Sequence, residues 1–166
     1  PTRQPVALEL WANRAPDGER YRTITTWSNK DSDLVFEGET YYWTKDREFR
    51  KFLDLPGRTS VDWELAAGVD DEVKQLLARH GWNHVDSVGI SANPDCYRTY
   101  IEQSRAEFTV ARDQCVRPNT GWFSDRTACY LAAGRPVITQ ETGFSKFIPS
   151  GRGLFGFKTM EEILEA

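Results

Sequence analysis

Apolar positions along the chain fall into short runs with two alternating periods. From Tyr21 to Trp27 the β-branched series Thr23-Ile24-Thr25-Thr26 predicts a strand, and Leu34-Val35-Phe36 predicts another that ends at a Glu37-Gly38 turn. Phe49, Phe52 and Leu53 are spaced three and four apart, which predicts a short helix capped by Thr44 and stopped before Pro56-Gly57. Ser60 to Ala67 reads as strand. Asp70, Asp71 and Glu72 place negative charge where a helix N-terminus favours it, Val73, Leu76, Leu77 and His80 follow at helical spacing, and Gly81 ends the run.

Val85 to Ile90 predicts the next strand, and Asn93-Pro94 supplies a cap with proline at the first helical position, leading to Tyr97, Tyr100 and Ile101 on one face. Phe108-Thr109-Val110 returns as strand. Ser124 caps a predicted helix through Ala133, closed by Gly134 and Pro136, before the buried-type strand Val137-Ile138-Thr139. Leu154-Phe155 predicts a last short strand, and Thr159 with Glu162 forms a capping box for a final helix. Strand and helix alternate, which predicts an α/β fold: a Rossmann-like parallel sheet with helices on both faces.

With 166 residues, 39% of them hydrophobic, there is material for one core. Residues 1–20 are polar and irregular and read as a lead-in to a single domain over 21–166. The chain starts at Pro1 rather than Met and stops inside the helical pattern Met160 to Ala166, so a fragment of a longer two-domain chain is expected.

Charge and cysteine content narrow the partners. A net charge of −4 repels nucleic acid and acidic membranes, so no nucleic-acid partner is expected. No apolar run approaches the roughly 20 residues of a transmembrane segment, and no secretion signal opens the chain. Cys96, Cys115 and Cys129 are odd in number and lack C-x-x-C spacing, which argues against a disulfide framework and a zinc site and for a cytoplasmic location. Arg105 to Lys158 nevertheless holds eight basic residues against four acids, a surplus of four that leaves −8 on the remainder. A locally positive half within an acidic chain favours a compact anionic ligand.

Ligands of open parallel sheets collect at the carboxyl ends of strands, where loops feed helix starts. Gly121-Trp122-Phe123-Ser124-Asp125-Arg126 is such a loop: Gly121 permits close backbone approach, Ser124 offers a hydroxyl and an amide, Trp122 offers a stacking face, and Arg126 suits a forked contact to phosphate. The alternative is an ordinary capped helix with Asp125 and Arg126 solvated. Gly151-Arg152-Gly153-Leu154-Phe155-Gly156 matches G-x-G-x-x-G, but no strand immediately precedes it and only ten residues follow, too few to reach a ribose-binding acid about 20 residues on. His80 and His84 are separated by Gly81 and form no helical ligand pair, and Cys129 shares a helical side with Ala132 and Ala133, as a packed thiol does.

Four segments of the second half carry a resemblance: Tyr100-Ile101-x-x-Ser104-x-x-Glu107-Phe108, Gly121 to Arg126, Tyr130-Leu131-Ala132-Ala133-Gly134-Arg135-Pro136-Val137-Ile138, and Thr142-Gly143-Phe144. Over about residues 70–166 the chain resembles the C-terminal, nucleotide-sugar donor-binding half of GT-B glycosyltransferases. Gly38-Glu39-Thr40-Tyr41-Tyr42-Trp43-Thr44-Lys45 and Phe52-Leu53-Asp54-Leu55-Pro56 are similar, less specifically, to bacterial members. The resemblance implies two Rossmann-like domains facing across a cleft. It puts the donor diphosphate on the loop from Gly121 to Arg126, and Glu141, Thr142, Gly143 and Phe144 toward the sugar or phosphates.

It further implies displacement of a nucleoside diphosphate without a bound metal or resident cofactor, the nucleotide-diphosphate sugar being the substrate. The N-terminal acceptor domain is missing from this stretch, so the catalytic base is unassigned and the fragment alone is expected to be inactive. The paired glutamates of the retaining branch correspond here to Gly121 and Cys129, which leaves the ribose contact open, with Asp125 a candidate for part of it. The alternative reading is a noncatalytic Rossmann-like module that binds a nucleotide or phosphorylated ligand.

Overall fold

A computed structural model describes residues 6–11, 18–29 and 33–166. In chain order these residues form β1 (Arg20–Ile24), β2 (Leu34–Phe36), β3 (Glu39–Tyr41), α1 (Asp46–Arg50), β4 (Asp62–Ala66), α2 (Asp71–Arg79), β5 (Asn83–Val85), α3 (Ser87–Ser91), α4 (Pro94–Glu102), β6 (Ala106–Thr109), α5 (Asp113–Val116), α6 (Asp125–Ala132), β7 (Val137–Gln140), β8 (Leu154–Phe157) and α7 (Met160–Glu165). Six strands make one sheet in the order β5-β4-β1-β6-β7-β8, and every pair in it is parallel. The fold is α/β and Rossmann-like. Counting only these six strands, the order is 3-2-1-4-5-6, that of a doubly wound sheet whose direction of growth reverses between β1 and β6.

The register sets which side chains share a face of the sheet, and β1, β4 and β6 alternate between an apolar face and one carrying Arg22, Glu64 and Glu107. Thr23 pairs with Leu65, and Phe108 with Ile138, so equivalent side chains share a face across neighbouring strands. One face carries Trp63, Leu65, Phe108, Ile138 and Phe157 into a cluster with Phe49, Phe52, Leu77 and Ile163, brought by α1, the turn after it, α2 and α7. The opposite face meets α4 and α6 through Ile101, Tyr130, Val137 and Leu154. Both faces are covered, as a parallel sheet requires. The second face also buries charge: Glu64 takes Arg20 and Arg22 at 2.9 and 3.1 Å, and Glu107 takes Arg126 at 2.5 Å.

Local capping fixes the helices. The Asp70 carboxylate accepts the Val73 amide at 2.9 Å, Asn93 accepts from Cys96, and Thr159 and Glu162 close a reciprocal capping box. Asp70→Ala is expected to lower the unfolding free energy by about 1 kcal/mol, and Asp70→Asn by less, both read from urea unfolding.

Four features differ from the sequence expectation. Strand β5 ends at Val85, and Ser87–Ser91 is helical because the Asp86 carboxylate caps it by accepting the Val88 amide. Leu34–Phe36 is a strand but pairs only with β3, as an antiparallel hairpin outside the main sheet. Thr44 does not cap α1: its hydroxyl bonds Trp27 O and Asp46 Oδ1, and Lys45 takes the cap position. Ser124 stands at the start of α6 without a side-chain cap bond. Within the predicted lead-in, Leu8–Trp11 forms a 3₁₀ turn whose Trp11 is buried against the α4 and α6 face, while residues 1–5 and 12–17 lie outside those described. The glycines of Gly151 to Gly156 turn the chain into β8.

Candidate functional site

The reversal point between β1 and β6 opens a crevice of about 280 Å³ at the carboxyl ends of the two strands. Its floor is Ile24, Thr25 and Thr26, which continue β1, and its walls bring together Trp43, Lys45, Arg112 and Arg126. Each arrives by a separate local device. The start of α1 is tied to the segment after β1, where Trp27 O accepts both the Asp46 amide and the Thr44 hydroxyl, and this places Lys45 over the strand ends. Arg112 stands at the N-cap of α5, directly beyond β6. The hairpin is strapped to α5 through the Asp113 carboxylate, which accepts the Tyr42 amide, and through Arg117, which bridges Asp113, Glu39 and Thr40 O. Trp43 is thereby laid against the Arg112 guanidinium, 3.5 Å from the ring centroid.

Charge in the crevice is unbalanced. Arg126 donates Nε–H to Glu107 at 2.5 Å and bonds Ile24 O and Thr109 Oγ1 through its other two nitrogens. Burial works against its charge, yet Glu107 outweighs that cost and raises its pKa. Glu107 is thus committed to Arg126. Among the described residues neither Lys45 Nζ nor the Arg112 guanidinium forms an ion pair with a carboxylate; each faces an aromatic ring, Trp122 at 5.5 Å from Lys45 and Trp43 at 3.5 Å from Arg112. Burial, and then the Arg126 charge, push the Lys45 ammonium down to about 7, with Glu107 opposing and Arg112 adding to the effect. Burial also lowers Arg112 and lifts the Tyr97 phenol to about 12, so Tyr97 stays a neutral donor on the crevice wall.

No family model, curated protein or solved structure matches the chain. The site is therefore described by its own geometry. The two segments singled out in the sequence, Gly121 to Arg126 and Glu141 to Phe144, meet between the ends of β6 and β7. The Gly121 amide donates to Thr142 O at 2.7 Å, the Thr142 hydroxyl donates to Trp122 O, and the rings of Phe123 and Phe144 lie 5.4 Å apart. Gly143 has φ 89°, and a Cβ there would stand 3.0 Å from Asn119 O, so the close approach of these loops requires glycine. Glu141 folds back to accept the Gly143 amide. Ser124 and Phe144 are buried, Asp125 is exposed, and Trp122 turns toward Lys45.

Arg126 differs most from its expected role. Three of its five N–H donors hold Glu107, the end of β1 and the end of β6, and Glu107 neutralises its charge. Among the described residues the basic groups of the crevice that reach no carboxylate are Lys45 and Arg112, which sequence reasoning did not select. One signal for Lys45 was available, since a cation at a helix start opposes the helix dipole and so breaks a local rule. Among the described residues no group of three or more His, Cys, Asp or Glu side chains converges in a way that holds a metal ion. His80 is bonded to Asp54 and His84 to Ala67 O, both away from the crevice.

Proposed function

We propose that this chain is the donor-binding domain of a GT-B glycosyltransferase, with the diphosphate of a nucleotide sugar gripped by Lys45 and Arg112 in the crevice between β1 and β6. The observation that carries the reading is two basic side chains, Lys45 and Arg112, that reach no carboxylate among the described residues and stand at the point where the strand order reverses. Trp43 and Trp122 add planar faces beside those cations, and the joined loops 121–126 and 141–144 stand next to Lys45 through Trp122. In sugar transfer the bond from the anomeric carbon to a diphosphate oxygen breaks as the bond to the acceptor oxygen forms. Negative charge then gathers on the departing diphosphate, where the basic groups beside it stabilise it. The acceptor, and the base that takes its proton, belong to the second domain that the resemblance implies.

Titration calorimetry with UDP, GDP and dTDP tests the reading. At least one is expected to bind, and Lys45→Ala and Arg112→Ala are each expected to weaken it by about 1.5–3 kcal/mol, the range for a hydrogen bond to a charged group. Absence of binding by all three, or full affinity in both variants, would overturn it.

A further inference from the structure

Lys45 faces a crowded set of charges. Arg126 approaches from α6, Glu107 from β6, Arg112 from the start of α5 and Cys115 from within α5, while Trp122 offers its ring and Tyr97 of α4 lines the same space. Glu107 is held by Arg126 at 2.5 Å, so the only carboxylate in this set is already neutralised. Among the described residues an ammonium placed there meets two guanidinium groups, an aromatic ring and no carboxylate of its own. An empty crevice therefore favours the neutral amine, and an anion entering between Lys45 and Arg112 supplies the counter-charge that restores the ammonium.

We propose that anion binding in this crevice is coupled to uptake of one proton by Lys45, so that the site holds its ligand more tightly at acid than at alkaline pH. The inference rests on the reading of the crevice as a phosphate site. Its sign follows from the two states. With the free amine titrating at about 7, the empty site above that pH has lost the lysine proton, and the bound site has regained it. Affinity then falls by up to about tenfold per pH unit above 7, until the pH reaches the raised value of the bound ammonium. Below neutrality Lys45 is charged in both states and the dependence flattens.

The test is calorimetry of UDP at pH 8 in two buffers of different ionisation enthalpy. The phosphate of UDP, with a second ionisation near pH 6, is fully charged there, so proton uptake belongs to the protein. The expected result is close to one proton taken up per UDP at pH 8 and about half a proton at pH 7, where UDP is still mostly in its fully charged form. Lys45→Arg, charged at every pH, is expected to bind without uptake and with a flat pH profile. Binding of UDP without proton uptake, or the same uptake in Lys45→Arg, would overturn the coupling while leaving the nucleotide reading intact. Sulfate, doubly charged throughout, gives the converse arm. Sulfate binding with uptake but no binding of UDP, GDP or dTDP keeps the proton-coupled anion site and removes the nucleotide; binding of none of the four removes both.

Discussion

Arg126→Met is expected to destabilise the fold by about 3–5 kcal/mol, because it leaves a buried carboxylate without its counter-charge. Glu107 has no exposed surface, and its Oε2 has no hydrogen-bond partner among the described residues, so the bond from Arg126 to Oε1 is the interaction that allows the carboxylate to be buried there. The same guanidinium ties Ile24 O to Thr109 Oγ1, the ends of the two strands that flank the crevice. Its loss acts on stability and on the width of the site together. Urea unfolding of Arg126→Met, Glu107→Leu and the double variant separates these effects. An apolar pair of similar volume replaces a buried ion pair at little cost, so the double variant is expected to recover most of the loss. Additive losses in the double variant would show that the two side chains act independently.

This result also bears on the proposed site. The sequence identifies the helix start at Ser124 and places a cation two residues later, a pattern that suits phosphate. What it does not show is that β6 delivers Glu107 to the same point from 19 residues earlier. A buried carboxylate facing Arg126 changes a ligand-binding cation into a strut. The basic side chains that reach no carboxylate among the described residues are instead Lys45 and Arg112, which are far apart in sequence and meet only because β1 and β6 are neighbours. Strand adjacency is a long-range property, and no local period encodes it.

Features with a local cause were legible. Asp70 before a helical run, Asn93 with Pro94, and Thr159 with Glu162 each state a helix start in a few residues, and the structure keeps all three. The alternation of those helices with apolar runs was enough for a parallel sheet. Val85 to Ile90 misled because Val88 and Ile90 alternate as in a strand, whereas Asp86 starts a surface helix that buries none of its residues. Leu34-Val35-Phe36 has strand composition without strand burial; all three are exposed, on a hairpin held by Asp113 and Arg117 rather than by the core.

Phe108→Ala is expected to cost about 3–5 kcal/mol, the usual range for removing a buried aromatic ring, and Phe108→Leu less than about 1.5 kcal/mol. Phe108 stands on β6, one of the two strands at the reversal, and is 1% exposed. Its ring stacks on Phe157 at 5.4 Å and meets Trp63, Trp82, Phe49 and Phe52 at 5.5 to 6.5 Å. Alanine leaves a cavity bounded by large rings that cannot all move inward at once, so relaxation recovers little of the loss. Phe49 belongs to α1, and the residue at the N-cap of α1 is Lys45. A loosened Phe49 therefore frees the mount of the crevice lysine, although Phe108 lies on the face of the sheet opposite Glu107. Urea unfolding reads the stability loss, and UDP calorimetry on the same variant reads the site. The expected pairing is a large loss of stability with a weaker but measurable UDP affinity in Phe108→Ala, and near-native values of both in Phe108→Leu. A Phe108→Ala protein as stable as the parent would mean that the aromatic cluster does not hold β6 against α1, and the placement of Lys45 would then need another cause.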